Sequence, residues 1–181
     1  MAREFVPTSD GIWDRVSKVL LADYPQMCIC WIERIGNPAV RAAYDARRLA
    51  MEAAAASTGG VPPTERVLFH GTKADRIDAI VRDGFKVALN RVSAYGIGTY
   101  FATSAALSAH YTDVSSRDEM SYMFVCRVLI GRIATGQTRN GILDTAQFDN
   151  TSNGGANPTI FTTPTDDRAF PEYLVAFYKK A

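Results

Sequence analysis

Two short stretches gather side chains able to hold and act on a ligand: "LFHGT", residues 68–72, and "YGIGTYFATSAALSAHY", residues 95–111. In the first, His70 precedes Gly71; in the second, Gly96 and Gly98 precede Tyr100. Glycine has no Cβ, so at these positions a flat ligand can lie against main chain. A planar amide ring there would be held by a backbone N–H and C=O pair, by a hydroxyl such as that of Ser108, and by aromatic faces such as Tyr100 and Tyr111. The second stretch is not a dinucleotide-binding G-x-G-x-x-G turn, because "GIGTYF" lacks the third glycine.

Other chemistries find less support. His70 and His110 are the only histidines, which excludes a multi-histidine metal centre and leaves a hydrolytic metal mostly carboxylates to bind. Cys28, Cys30 and Cys126 lack the second pair that a zinc site needs and read as strand residues. A hydrolase built on Ser108, His110 and Asp113 is disfavoured, since residues at those offsets on one helix point in different directions.

The elements that must position these residues follow from caps and periodicity. Ser9 or Asp10 can cap a helix carrying Ile12, Val16, Val19 and Leu20 on one face. "MCICWIERI" reads as extended. Asn37 suits an N-cap and Pro38 the first helical position of a long helix through "NPAVRAAYDARRLAMEAAAA", which "STGGVPPTE" ends. Beyond it come a strand "RVLFHGT" broken at Gly71, a short helix "ADRIDAIVRDGF" ending at Gly84, and an irregular stretch "KVALNRVSAYGIG". "TYFA" is a brief strand and Ser104 caps the helix towards His110. "SYMFVCRVLIGR" is a strong strand, "GQTRNGILDTAQFDNTSNGGANP" a long polar loop, and "YLVAFYKK" the last strand. Regular βαβ alternation is missing, so an α+β fold with an antiparallel, partly split sheet is expected.

Composition bounds the rest. A chain of 181 residues, 47% hydrophobic, can bury one sizeable core and is expected to be a single domain over 1–181. Residues 1–60 read as a mainly helical lead-in and 61–181 as the ligand-binding core. The formal charge of +1 offers no global basic field for nucleic acid or membrane. No apolar run is long enough to span a membrane and the N-terminus has no secretory apolar segment, so an intracellular protein, cytoplasmic or nuclear, is expected.

Taken together, "LFHGT", "YGIGTYFATSAALSAHY" and "FPEYLVAFY" at this spacing resemble the catalytic domain of the poly(ADP-ribose) polymerase family of diphtheria-toxin-like ADP-ribosyltransferases. "IERIGNPAVRAAYDARRLAM" resembles the lead-in of its mono-ADP-ribosylating members, and the similarity runs from about residue 25 to the end. The resemblance implies the ADP-ribosyltransferase fold, a split antiparallel sheet with flanking helices, and NAD as substrate with no metal required. It implies that Gly71 holds the nicotinamide carboxamide through its backbone and that Ser108 donates a hydroxyl to it. Tyr111 would stack on the ring with Tyr100 against the other face, while His70 would bond the adenosine ribose with Thr72 close to the sugars.

The family's third catalytic position decides between single transfer and chain growth. Polymerising members carry a glutamate there, and Glu172 in "FPEYL" is tempting. In the family, however, that position lies on the preceding strand, ten residues before the aromatic of this segment. Counting back from Phe170 gives Ile160 and the triad His70, Tyr100, Ile160. Isoleucine can neither accept a hydrogen bond nor take a proton, so transfer of a single ADP-ribose is expected. The implied acceptor is a protein or a nucleic-acid end, with automodification open and no membrane involved. An inactive NAD or ADP-ribose binding module and a chain-forming enzyme are the alternatives. The sequence departs from the family pattern at Pro164, which predicts a shortened, bulged or edge strand after Ile160. The donor-site stretch between Gly84 and Gly96 is also short.

Overall fold

A computed structural model describes residues 2–90, 94–136 and 143–180. The expected caps form. Helix α1 (Gly11–Leu21) starts where Asp10 accepts from the Ile12 N–H at 2.8 Å. Helix α2 (Pro38–Thr58) starts where Asn37 accepts from the Val40 N–H at 3.1 Å. The Asn37 amide also donates to Val81 O and Arg82 O, each at 2.8 Å, tying the start of α2 to the end of helix α3 (Ile77–Asp83). Ser104 caps the short helix α4 (Ala105–Ala109) through the Leu107 N–H at 3.1 Å.

Among the described residues nine strands form one sheet: β1 (Ala2–Phe5), β2 (Met27–Gly36), β3 (Thr64–Thr72), β4 (Thr99–Ala102), β5 (Ser121–Ile130), β6 (Ile133–Thr135), β7 (Asn150–Ser152), β8 (Ile160–Thr163) and β9 (Ala169–Lys179). Their order is β1-β2-β9-β5-β3-β4-β8-β7-β6. All neighbours are antiparallel except the parallel pair β6–β7. The expected split lies between β3 and β4, which pair only at Phe69↔Ala102. This is an α+β fold, with β1 and β2 of the helical lead-in built into the same sheet.

Strand alternation sends side chains to two cores. Phe69, Met123, Val125 and Val175 face Val16 and Leu20 of α1 and Ala105 of α4. Leu68, Phe101, Phe124 and Phe161 face Ile77 and Val81 of α3 and Phe85 just beyond it. The helix α2 adds Tyr44, buried with Leu129 and Phe170.

Several elements differ from expectation. β3 runs through Gly71 unbroken, because Gly71 pairs with Met123 in the long β3–β5 ladder. β8 stops before Pro164 and is short, one of the outcomes expected there, and it lies between β4 and β7. β9 begins at Ala169 and includes Pro171, where the register jumps from Val125↔Tyr173 to Cys126↔Pro171. Glu172 is the extra residue of that bulge, one of the few interior places that tolerate proline. The expected irregular stretch 86–98 and polar loop 136–158 include residues 91–93 and 137–142, which lie outside the described residues; the latter segment also contains β7. No described helix is long and apolar enough to cross a membrane.

Candidate active site

Where the β3–β4 ladder gives out, a side chain continues it. His70 Nδ1 lies 2.8 Å from Tyr100 O. A carbonyl only accepts, so Nδ1 carries the proton and Nε2 keeps a free lone pair. The imidazole packs against Phe85 and Phe101 at centroid distances of 5.0 and 5.6 Å. Burial holds its pKa below 6.5, only partly offset by the bond to Tyr100. The ring is therefore neutral at pH 7, with a donor aimed at the sheet and an acceptor left over.

Beside it, α4 sits on bare main chain. A Cβ on Gly71 would come 1.9 Å from Ser108 O, so only glycine lets the helix approach this closely. Ser108 is 3% exposed and its hydroxyl donates to Phe69 O at 3.1 Å. Its proton is thus engaged by the strand, which leaves the hydroxyl oxygen able to accept. Thr72, also buried, ends β3 opposite Tyr122. Tyr111 follows α4, its N–H donating to Ser108 O at 3.1 Å, and the residue is 59% exposed. An aromatic face this open beside a close-packed backbone suits a flat partner.

Tyr100 stands on β4 across the split. Its hydroxyl donates to Gly96 O at 2.6 Å and accepts from the Tyr95 N–H at 2.9 Å, which folds the preceding turn onto the ring. Gly96 has φ +109°, which permits that turn. Gly98 serves a different end: a Cβ there would lie 2.3 Å from Thr163 O, so the space is taken by β8. At Gly71 and Gly98 alike, the space that a Cβ would take is filled by the protein's own backbone.

The register puts Tyr100 opposite Thr162 and Ala102 opposite Ile160. Tyr100, Ile160 and Thr162 therefore share the α4 face, while His70 reaches the seam from the Phe101 face. The Ile160 N–H bonds Asn153 Oδ1 at 3.1 Å, which anchors the start of β8.

The other candidates are engaged elsewhere. Glu172 meets Arg127 at 2.8 Å, and Arg127 also pairs with Glu65. Four strand steps separate β9 from β8, roughly 19 Å at about 4.8 Å each. His110 Nδ1 lies against carbonyls of its own helix, at 2.9 Å from Ala106 O, and Asp113 accepts from the Ala74 N–H at 2.9 Å. Ser108, His110 and Asp113 form no relay. A cleft of about 380 Å³ near Arg41, Arg48 and Arg127 is no anion site either, since those arginines pair with Asp45, Glu52 and Glu65.

Sequence reasoning passed over Phe69, whose carbonyl holds Ser108, and Phe85 and Phe101, which wedge His70. It also missed Asn153 and Thr162. Strand alternation from Tyr100 and Ile160 would have pointed to Thr162; Asn153 gives no comparable signal.

Residues 13–173 match the family model of the poly(ADP-ribose) polymerase catalytic domain. The chain is 33% identical over 175 residues to protein mono-ADP-ribosyltransferase PARP12 of Mus musculus, covering 92% of this chain and 23% of that protein. It is 34% identical over 161 residues to protein mono-ADP-ribosyltransferase PARP14 of Homo sapiens, covering 82% and 9%. With protein mono-ADP-ribosyltransferase PARP11 of Mus musculus it shares 30% over 146 residues, covering 66% and 44%. The chain thus spans less than a quarter of the first two relatives.

Proposed function

The chain belongs to the poly(ADP-ribose) polymerase catalytic-domain family, and from that premise we propose that it transfers a single ADP-ribose from NAD to an acceptor, releasing nicotinamide. Main chain at Gly71 receives the carboxamide. Ser108, its proton held by Phe69 O, accepts from the amide nitrogen, where the resemblance implies that it donates. Tyr111 covers one face of the ring and Tyr100 supports the other. His70 offers Nε2 to a ribose hydroxyl while Nδ1–H stays on Tyr100 O, and Thr72 lies near the sugars.

The bond from the anomeric carbon to the nicotinamide nitrogen breaks, and its electron pair leaves with neutral nicotinamide. The ribose carbon passes through an oxocarbenium-like state. The acceptor's nucleophile then attacks that carbon; an acceptor carboxylate brings no proton to remove. Holding the leaving ring flat and fixed while charge spreads over the sugar favours the transition state over the ground state.

One observation carries the single-transfer reading: Ile160 occupies the place on β8 beside the strand of Tyr100, and Glu172 lies four strands away against Arg127. No carboxylate at that place activates a ribose hydroxyl as the next acceptor. A protein is the favoured acceptor, this chain itself included, and the near-neutral charge argues against nucleic acid.

Incubation with labelled NAD followed by a denaturing gel tests this, with His70→Ala alongside. A discrete labelled band that the variant loses supports it. A high-mass ladder from the wild type overturns single transfer, and failure to bind NAD by calorimetry overturns the whole reading. Ile160→Glu is expected to lengthen the product; if the band stays discrete while Glu172→Gln abolishes transfer, Ile160 is the wrong position.

A further inference from the structure

β8 carries two threonines buried without a hydrogen-bond partner for their hydroxyls. Thr162 and Thr163 are each 1% exposed, and neither Oγ1 is satisfied. Burying an unpaired hydroxyl is unfavourable, and valine would fill either position with the same shape. The two side chains point to opposite faces. Thr163 lies opposite Thr99, whereas Thr162 lies opposite Tyr100 and two residues from Ile160 on the same face.

The surroundings of Thr162 limit what its hydroxyl can reach. Its methyl group faces Gly98, where even a Cβ would come within 2.5 Å of it. Tyr100 already gives its proton to Gly96 O and accepts from the Tyr95 N–H, which leaves one lone pair on the phenol oxygen. Burial raises the pKa of that phenol, and the β4–β8 register sets Thr162 directly opposite Tyr100 on the same face of the sheet, so the two side chains are cross-strand neighbours. Both contacts that now fix the phenol come from the turn just before its own strand. Thr162 is the neighbour that belongs to a different strand.

We propose that Thr162 is a positioning residue for Tyr100: its hydroxyl closes onto the remaining lone pair of the phenol when a flat ring settles on Tyr100. The bond belongs to the loaded site and is missing from the empty one. This rests on the reading of the site as one for nicotinamide, and it adds a hydroxyl that acts through Tyr100 without touching NAD. The strand that lacks a carboxylate at Ile160 still contributes two residues further on, by steadying the surface on which the leaving group lies.

The proposal predicts opposite changes in stability and affinity. Thr162→Val removes an unpaired hydroxyl from the empty protein, so its Tm stays level or rises. It also removes one hydrogen bond from the loaded site, so KM for NAD rises by about three- to tenfold, with kcat changed less than twofold. Thr162→Ser restores KM. In a Tyr100→Phe background, which has no phenol, Thr162→Val makes no further difference. Thr163→Val, equally buried on the opposite face, leaves KM at the wild-type value. An unchanged KM in Thr162→Val overturns the proposal, as does an effect that persists in Tyr100→Phe or a matching effect from Thr163→Val. Calorimetry of wild type with NAD keeps the two readings apart: no binding there removes the nicotinamide site itself, whereas binding with an indifferent Thr162→Val removes only the role of Thr162.

Discussion

The two halves of the sheet are built differently. On one side, β3 and β5 pair without interruption from Thr64↔Ile130 to Thr72↔Tyr122, and β9 joins that ladder to β2. On the other, β4 and β8 share four register pairs and β7 and β8 share two. One half has length and two covered faces; the other is a set of short strands attached at Phe69↔Ala102. Every residue assigned to the nicotinamide site lies on or beside the join. Long ladders supply the stability that lets the join stay open, and the join supplies main chain and side chains that no neighbouring strand has claimed.

The sharpest way to break this division is to push α4 off the strand beside the join. Gly71→Ala drives a Cβ into Ser108 O, backbone against backbone, with no flexible side chain to yield. A loss of ~3 kcal/mol or more in stability and loss of NAD binding are expected, read by thermal melts and calorimetry. A variant that melts like wild type would mean that α4 does not rest on β3.

Acid provides a gentler probe of the same place. His70 is kept neutral by burial, with a folded pKa below the 6.5 it has when free. Below about 6.5 the unfolded chain binds the proton more readily, so this contribution to stability is complete above that pH. It is lost as pH falls from there through the folded value. Against His70→Asn, which cannot titrate, the wild type should therefore lose ground only on the acid side of 6.5. Protonation also removes the Nε2 acceptor, so transfer should fall over the same window. A pH-independent difference between the two proteins would place the histidine in an open environment.

The smallest effect belongs to the ordered half. Glu172→Gln removes one arm of the Glu65–Arg127–Glu172 group, which is partly exposed on both sides. A stability loss of about 1 kcal/mol or less with transfer intact is expected, measured by denaturant titration and the gel assay. Loss of transfer there would make the ordered half part of the chemistry.

The same division explains what could be read from sequence. Asp10, Asn37 with Pro38, and Ser104 announce their helices because a cap is a local contact between near neighbours. β5 and β9 announce themselves through long runs of apolar residues. β1 does not, since all four of its residues are exposed and no alternation marks it. β7 does not either: "NTS" is polar yet buried, because Asn150 satisfies Leu129 O, Thr162 O and the Gly131 N–H across the sheet. Gly71 marks a place of close approach in the sequence, but not what approaches it, since Ser108 comes near only through the fold. Ile160 follows from the spacing to Phe170 and Thr162 does not, because its meaning depends on the β4–β8 register.

The single-pair join also bears on how such a chain can vary. β3 and β4 are linked by residues 73–98, and lengthening that link adds a closure cost that grows only with the logarithm of its length. An insertion there that spares α3, Phe85 and the Tyr95–Gly96 turn would leave the β3–β5 ladder untouched. The segment nearest the chemistry is thus the one that can change length with least penalty to folding, so descendants of this fold can reshape the mouth of the site while inheriting its floor unchanged.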